Sequence, residues 1–146
     1  MAARECSIAN ALEVIGERWT LLALREVLLG NRRFDQIVRQ TGASRDILAT
    51  RLRKLVEVGL LERRQYEMHP PRYEYHPTDA GKSLHTVLLT LMEWGDQHMT
   101  QGPPPTVMEH SCGEALHPKV VCAHCDKPVE LGDSRVVRLG GRPVER

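Results

Sequence analysis

Between Ser7 and Leu29 the apolar positions Ile8, Leu12, Ile15, Trp19, Leu22 and Val27 recur near helical spacing, with a break at Gly16. That spacing predicts two helices joined near "GERW", the second over about residues 18–28. "GN" at Gly30–Asn31 reads as the end of one element and the cap of the next. A short helix over residues 32–40 follows, with Phe34, Ile37 and Val38 facing inward. "TGAS" is a turn with Gly42 as pivot and Ser44 as N-cap. It opens a longer, arginine-rich helix over residues 44–58, closed by Gly59.

The period then changes. "LLERRQY" and "RYEYH" alternate, as half-buried strands do, and "EMHPP" between them predicts a hairpin loop longer than a tight turn. Thr78 caps a second long helix, expected over residues 79–99, with an apolar stripe of Leu84, Val87, Leu88, Leu91, Met92 and Gly95. "TQGPPP" stops it, because proline cannot continue a helix. Three segments are expected: 1–100, a proline-rich linker at 101–106, and a small Cys/His-rich extension at 107–146. Helix, helix, helix–turn–helix, hairpin, long helix is the order of a winged helix–turn–helix: mainly α, with a small β-hairpin wing.

Composition excludes more than it selects. The 146 residues are 41% hydrophobic and 27% charged, ordinary for a globular chain. No apolar run reaches the ~20 residues of a membrane span, and the N-terminus is too polar for a secretory signal. Cytoplasmic residence without a membrane partner is the expectation. Net charge is +1, but its distribution is uneven: residues 31–82 carry eleven Lys/Arg against seven Asp/Glu, net +4. A local basic block on a near-neutral chain suits a polyanion.

On the helix "SRDILATRLRKLVEVG", Leu48, Leu52 and Leu55 share the core-facing arc, with Val56 beside them. Asp46, Thr50, Arg53 and Lys54 lie opposite, flanked by Ala49 and Arg51. The N-terminal half of such a helix reaches base edges, so Ser44, Arg45, Ala49 and Thr50 are the candidate readers of double-stranded DNA. Arg53 and Lys54 suit phosphates, and Arg51 either role. Arg63, Arg64, His69 and Arg72 add positive groups on the hairpin. Taken alone, the helix arginines could equally be the wet side of an amphipathic helix.

The stretch from Cys6 through "IGERWTLL", "RRF", "LATRLRKLVEVGLLER" and "PPRYEYHPTDAG" to "WGD" resembles the HxlR family of bacterial winged-helix transcription regulators. The likeness covers about residues 6–99. It implies a homodimer that binds operator DNA and represses or activates nearby genes, repression being the expected sign, and two-fold symmetry then predicts a pseudo-palindromic operator; no enzymatic activity is expected. It also implies that the first and last helices carry the dimer contact, and that Cys6 is a possible redox sensor. "YHPTDAG" departs from the family, which usually has Leu-Thr where this chain has Pro77–Thr78.

The extension carries "HSCGEALHPKVVCAHC". Cys112, Cys122 and Cys125 supply three quarters of a structural zinc site of zinc-ribbon-like kind, with His110 preferred as fourth ligand over His117 and His124. No pocket accompanies it, so it reads as a staple rather than a catalytic centre. Two alternatives stay open: a redox- or metal-responsive switch in which these cysteines or Cys6 control DNA affinity, and a winged-helix protein–protein adaptor.

Overall fold

The computed structural model describes residues 4–145, so positions 1–3 and 146 of the outer expected segments lie outside the described residues. Two compact units divide the chain: Ser7–Leu88, and the described parts of Met1–Cys6 with Leu89–Arg146. The division falls inside a helix rather than at the proline-rich stretch.

In the first unit, α1 (Ser7–Ile15) and α2 (Arg18–Leu28) meet at Gly16, as the apolar spacing predicts. A side chain at Gly16 would drive its Cβ to 2.3 Å from the Leu12 carbonyl oxygen, so only glycine fits there. Glu17 caps α2, its carboxylate accepting from the N–H groups of Trp19 at 2.9 Å and Thr20 at 3.2 Å. Asn31 does not cap the next helix. It donates to Glu26 Oε2 at 2.6 Å, and Arg25 Nε donates to Oε1 at 2.8 Å. Glu26 is buried, and a buried carboxylate must collect donors, which is why Asn31 is diverted. Arg33 takes the cap position of α3 (Phe34–Thr41), one to two residues later than the expected start.

Gly42 turns the chain at φ 73°, and Ser44 caps α4 (Arg45–Glu57) by accepting from Ile47 N–H at 3.2 Å. Ala23, Leu24 and Val27 of α2, Ile37 of α3, Leu48, Leu52 and Leu55 of α4, and Leu61 form one buried core. Gly59 at φ 80° then hands the chain to the hairpin.

Strands β1 (Leu61–Met68) and β2 (Pro71–Pro77) pair antiparallel from Leu61↔Pro77 to Met68↔Pro71, with a bulge between Gln65 and Glu67. The loop is therefore shorter than expected. Only His69 and Pro70, joined by a cis peptide, reverse the chain. Pro71 sits at the first position of its strand, where a missing N–H is tolerated, so the prolines do not shorten the ladder.

Thr78 caps by accepting from Gly81 N–H at 3.2 Å, but the expected long helix is two: α5 (Asp79–Ser83) and α6 (His85–His98). The break at Leu84 comes where its N–H bonds three residues back to Gly81 O, tightening the turn. Leu84 and Leu88 pack on the core, whereas Val87, Leu91 and Trp94 are about half exposed. On α1, Ile8 and Leu12 are exposed too, at 71% and 56%.

The second unit continues from α6 into turns, two isolated bridges (Glu109↔Ala115, Val121↔Pro128) and a minimal hairpin, β3 (Arg138–Leu139) with β4 (Arg142–Pro143). No helix among the described residues is long and apolar enough to cross a membrane.

Candidate nucleic-acid interface

Three elements surround one concavity of about 630 Å³: α3 from its cap Arg33 to Arg39, the first residue of α4, and the hairpin. Its lining includes five arginines, Arg33, Arg39, Arg45, Arg63 and Arg72, against the single acid Asp35. Alternation along the strands explains the hairpin's share. Arg63, opposite Tyr75, and Gln65, opposite Tyr73, stand on the same face as core residue Leu61.

Aromatic rings hold the guanidinium groups. The Arg63 guanidinium lies 3.9 Å from the centre of the Tyr73 ring, that of Arg33 4.3 Å from Tyr66, and that of Arg45 4.9 Å from Phe34. Stacking fixes an arginine without neutralising it, so its charge and in-plane donors still face outward. Partial neutralisation comes from acids: Arg45 Nη1 lies 2.7 Å from Asp35, Arg33 Nε 3.5 Å from Glu74, and Arg72 Nε 3.4 Å from Glu67. Burial pushes the Tyr75 phenol above the ordinary tyrosine range, with Arg63 and Arg53 opposing the shift. Both cations therefore lie close enough to act on the base of the wing.

The expected site residues separate into two groups. Ser44, Arg45, Thr50 and Arg53 are exposed on α4, and Ala49 is half-buried. No ion pair joins Arg53 or Arg63 to another described residue. Arg51 and Lys54 are turned toward the first two helices instead. Arg51 Nε lies 2.9 Å from Glu17 Oε2, an ion pair by distance though its N–H finds no aligned acceptor. Glu17 Oε2 is already committed to the α2 cap, which accounts for the poor alignment. Lys54 Nζ donates to the Glu13 carbonyl at 2.8 Å. On the hairpin's other face Arg64 pairs with Glu62, while His69 is exposed at the tip.

Arg33 and Arg39, and the rings of Tyr66 and Tyr73, were not among the expected residues. Strand alternation puts Tyr73 and Tyr75 with Arg63, so Tyr73 is legible in the sequence, whereas Tyr66 lies at the bulge, which alternation does not announce. Arg33 needed the cap to be placed correctly.

Of the expected metal ligands, His110 and Cys112 share one turn, with Cys112 N–H 3.4 Å from His110 Nδ1. Cys122 and Cys125 share another. There the backbone N–H groups of His124 and Cys125, then the Cys125 side chain, pull the Cys122 thiol below its ordinary range. Among the described residues no three Cys, His, Asp or Glu side chains are grouped to hold an ion. His117 Nδ1 lies 3.3 Å from Glu93 Oε1, and Cys6, just before α1, is half-buried.

A helix–turn–helix with a two-stranded wing and a cationic groove defines a winged-helix transcription factor. Residues 14–103 match the HxlR-like helix-turn-helix family, and the chain belongs to it. The chain is 46% identical over 125 residues to Rv3095 of Mycobacterium tuberculosis, an uncharacterized HTH-type transcriptional regulator, a match spanning 84% of this chain and 79% of the relative. Among solved structures it resembles PA1607, a candidate transcription factor, with TM-score 0.78 and 30% identity over 92% of this chain and 95% of that one. It also resembles the oxidised form of the redox regulator HypR, with TM-score 0.60 and 28% identity over 66% of this chain and all of the other. The chain is thus a transcriptional regulator, of a family and structural class that are generally not enzymes.

Proposed function

We propose that the protein is a homodimeric, sequence-specific DNA-binding repressor acting on a pseudo-palindromic operator. The observation that carries the DNA reading is the groove between α3, α4 and the wing, lined by five arginines of which three are paired with Asp35, Glu74 and Glu67 and two are not in ion pairs with described residues. Such a groove presents cations to a phosphate backbone while Ser44, Arg45, Ala49 and Thr50, at the start of α4, meet base edges. The dimer reading rests on the apolar residues of α1 and α6, whose exposure in one chain a second copy would relieve. Two-fold symmetry then calls for half-sites about 10 bp apart, or a multiple of it.

Genome-wide recovery of bound fragments tests this reading. Enriched sites should share an inverted repeat, and transcription downstream of them should rise when the gene is deleted. Absence of any enriched fragment would favour the protein–protein adaptor. The likeness to HypR supports a second reading, in which oxidation at Cys6 changes operator affinity. A Cys6→Ser variant should then bind DNA equally with and without peroxide, unlike the parent.

A further inference from the structure

We propose that the C-terminal unit holds one zinc ion on His110, Cys112, Cys122 and Cys125, two ligands from each of two matched turns. In the second turn Val121 and Pro128 form an antiparallel bridge. Inside it Cys122 N–H donates to Lys127 O at 2.9 Å and Asp126 N–H to Cys122 O at 2.7 Å. The first turn repeats this scheme. Glu109 and Ala115 form the bridge, His110 N–H donates to Glu114 O at 2.9 Å, and Gly113 N–H to His110 O at 2.9 Å. Each closes on a left-handed residue, Gly113 at φ 90° and Asp126 at φ 59°. Matched bond for bond, His110 takes the place of Cys122, and Cys112 the place of Cys125. The first turn is one residue shorter, which is why no second C-x-x-C is visible in the sequence.

Three further features point to a metal. Within residues 101–145 no residue is buried, and only Met108, Leu116 and Pro118 are half-buried. So small a segment without a core ordinarily depends on disulfides or an ion. The thiols of Cys112, Cys122 and Cys125 are free. His110 Nδ1 faces into its own turn, 3.4 Å from Cys112 N–H. His117 is engaged by Glu93, and His124 sits between the two cysteines of the second turn.

Three thiolates and an imidazole suit zinc and disfavour magnesium or calcium. The described turns form two prepared pairs without a common centre. The ion would draw them together, releasing the three thiol protons, so that binding free energy becomes folding energy of the unit.

The test is metal analysis of the full chain purified without chelator, followed by cobalt substitution, and neither needs DNA. Failure to bind an operator would therefore leave this inference standing, and the reverse also holds. The expected result is one zinc per chain, with a tetrahedral cobalt spectrum showing thiolate-to-cobalt charge transfer scaled to three sulfurs. His110→Ala, Cys112→Ser, Cys122→Ser and Cys125→Ser should each lower the zinc recovered to well below one per chain, while His117→Ala and His124→Ala should not. A metal-free chain with Cys122 and Cys125 joined by a disulfide would overturn the inference. So would retention of zinc in His110→Ala together with its loss in His117→Ala. The cobalt spectrum of the unaltered chain counts sulfurs whether or not any variant folds.

Discussion

Arg53 and Lys54 are neighbours in sequence and carry equal charge, yet they should contribute unequally to operator binding. Lys54 reaches back to the Glu13 carbonyl at 2.8 Å, whereas Arg53 is exposed and joined by no ion pair to another described residue. Each phosphate neutralised on duplex DNA contributes about 0.9 to the slope of log K against log salt. In a symmetric dimer every substitution acts twice. Arg53→Ala should therefore reduce the slope by about 1.8, and Lys54→Ala by less than half of that. Fluorescence anisotropy of a labelled operator, titrated at several salt concentrations, gives both slopes. Thermal melts alongside show whether either change merely unfolds the chain. Equal slopes for the two variants, or an Arg53→Ala slope matching the parent, would refute the division of α4 into a DNA side and an α1–α2 side.

The packing makes predictions of its own. Leu52→Ala empties a fully buried site and should cost about 2.7–5 kcal/mol in urea unfolding. Gly81→Ala would set a Cβ 2.0 Å from the Leu60 carbonyl oxygen, and should cost about 1–3 kcal/mol with a matching fall in melting temperature. Leu91→Asp should leave helical content intact but shift sedimentation from dimer to monomer, if α6 is where a second copy docks. Because burial raises the Tyr75 pKa, the neutral phenol is favoured in the folded chain. Its contribution is complete below the unfolded value of about 10 and is lost as pH rises through the folded value. Alkaline destabilisation should accordingly be smaller in Tyr75→Phe, read by denaturant melts at successive pH values.

What could be read from the sequence, and what could not, follows from the range of the forces involved. The helices α1 to α4 and their core were legible because apolar spacing is a local signal, and Leu48, Leu52 and Leu55 need no partner information to be placed. The cap of α3 was not. Asn31 is a good capping residue by type, but the buried Glu26 carboxylate competes for it, and that burial emerges only from the packed fold. The hairpin shows the same limit. Its alternation was visible, while the reach of the ladder past Gln65 to Met68↔Pro71 depends on a bulge that alternation does not announce.

Electrostatic roles show the limit most clearly. Arg51, Arg53 and Lys54 are equivalent as letters, and the helical wheel separates them by angle alone. What distinguishes them is whether a fixed acceptor lies within reach: Glu17 for Arg51, the Glu13 carbonyl for Lys54, and none among the described residues for Arg53. A cation held by its own chain must give up that contact, or share it, before it can meet a phosphate, so only part of its Coulomb attraction is gained. Arg63, stacked on Tyr73, gives up nothing, because the ring face leaves the guanidinium donors open. The groove's affinity should thus depend on aromatic rings that carry no charge. Tyr73→Leu tests that dependence: it keeps every charge and the strand, but frees the Arg63 side chain. Operator affinity should fall severalfold with the salt slope unchanged, since the lost term is the cost of ordering Arg63 rather than a phosphate contact. A reduced slope would mean instead that without the ring Arg63 leaves the phosphate altogether, and an affinity equal to the parent's would refute the idea that stacking holds Arg63 in place.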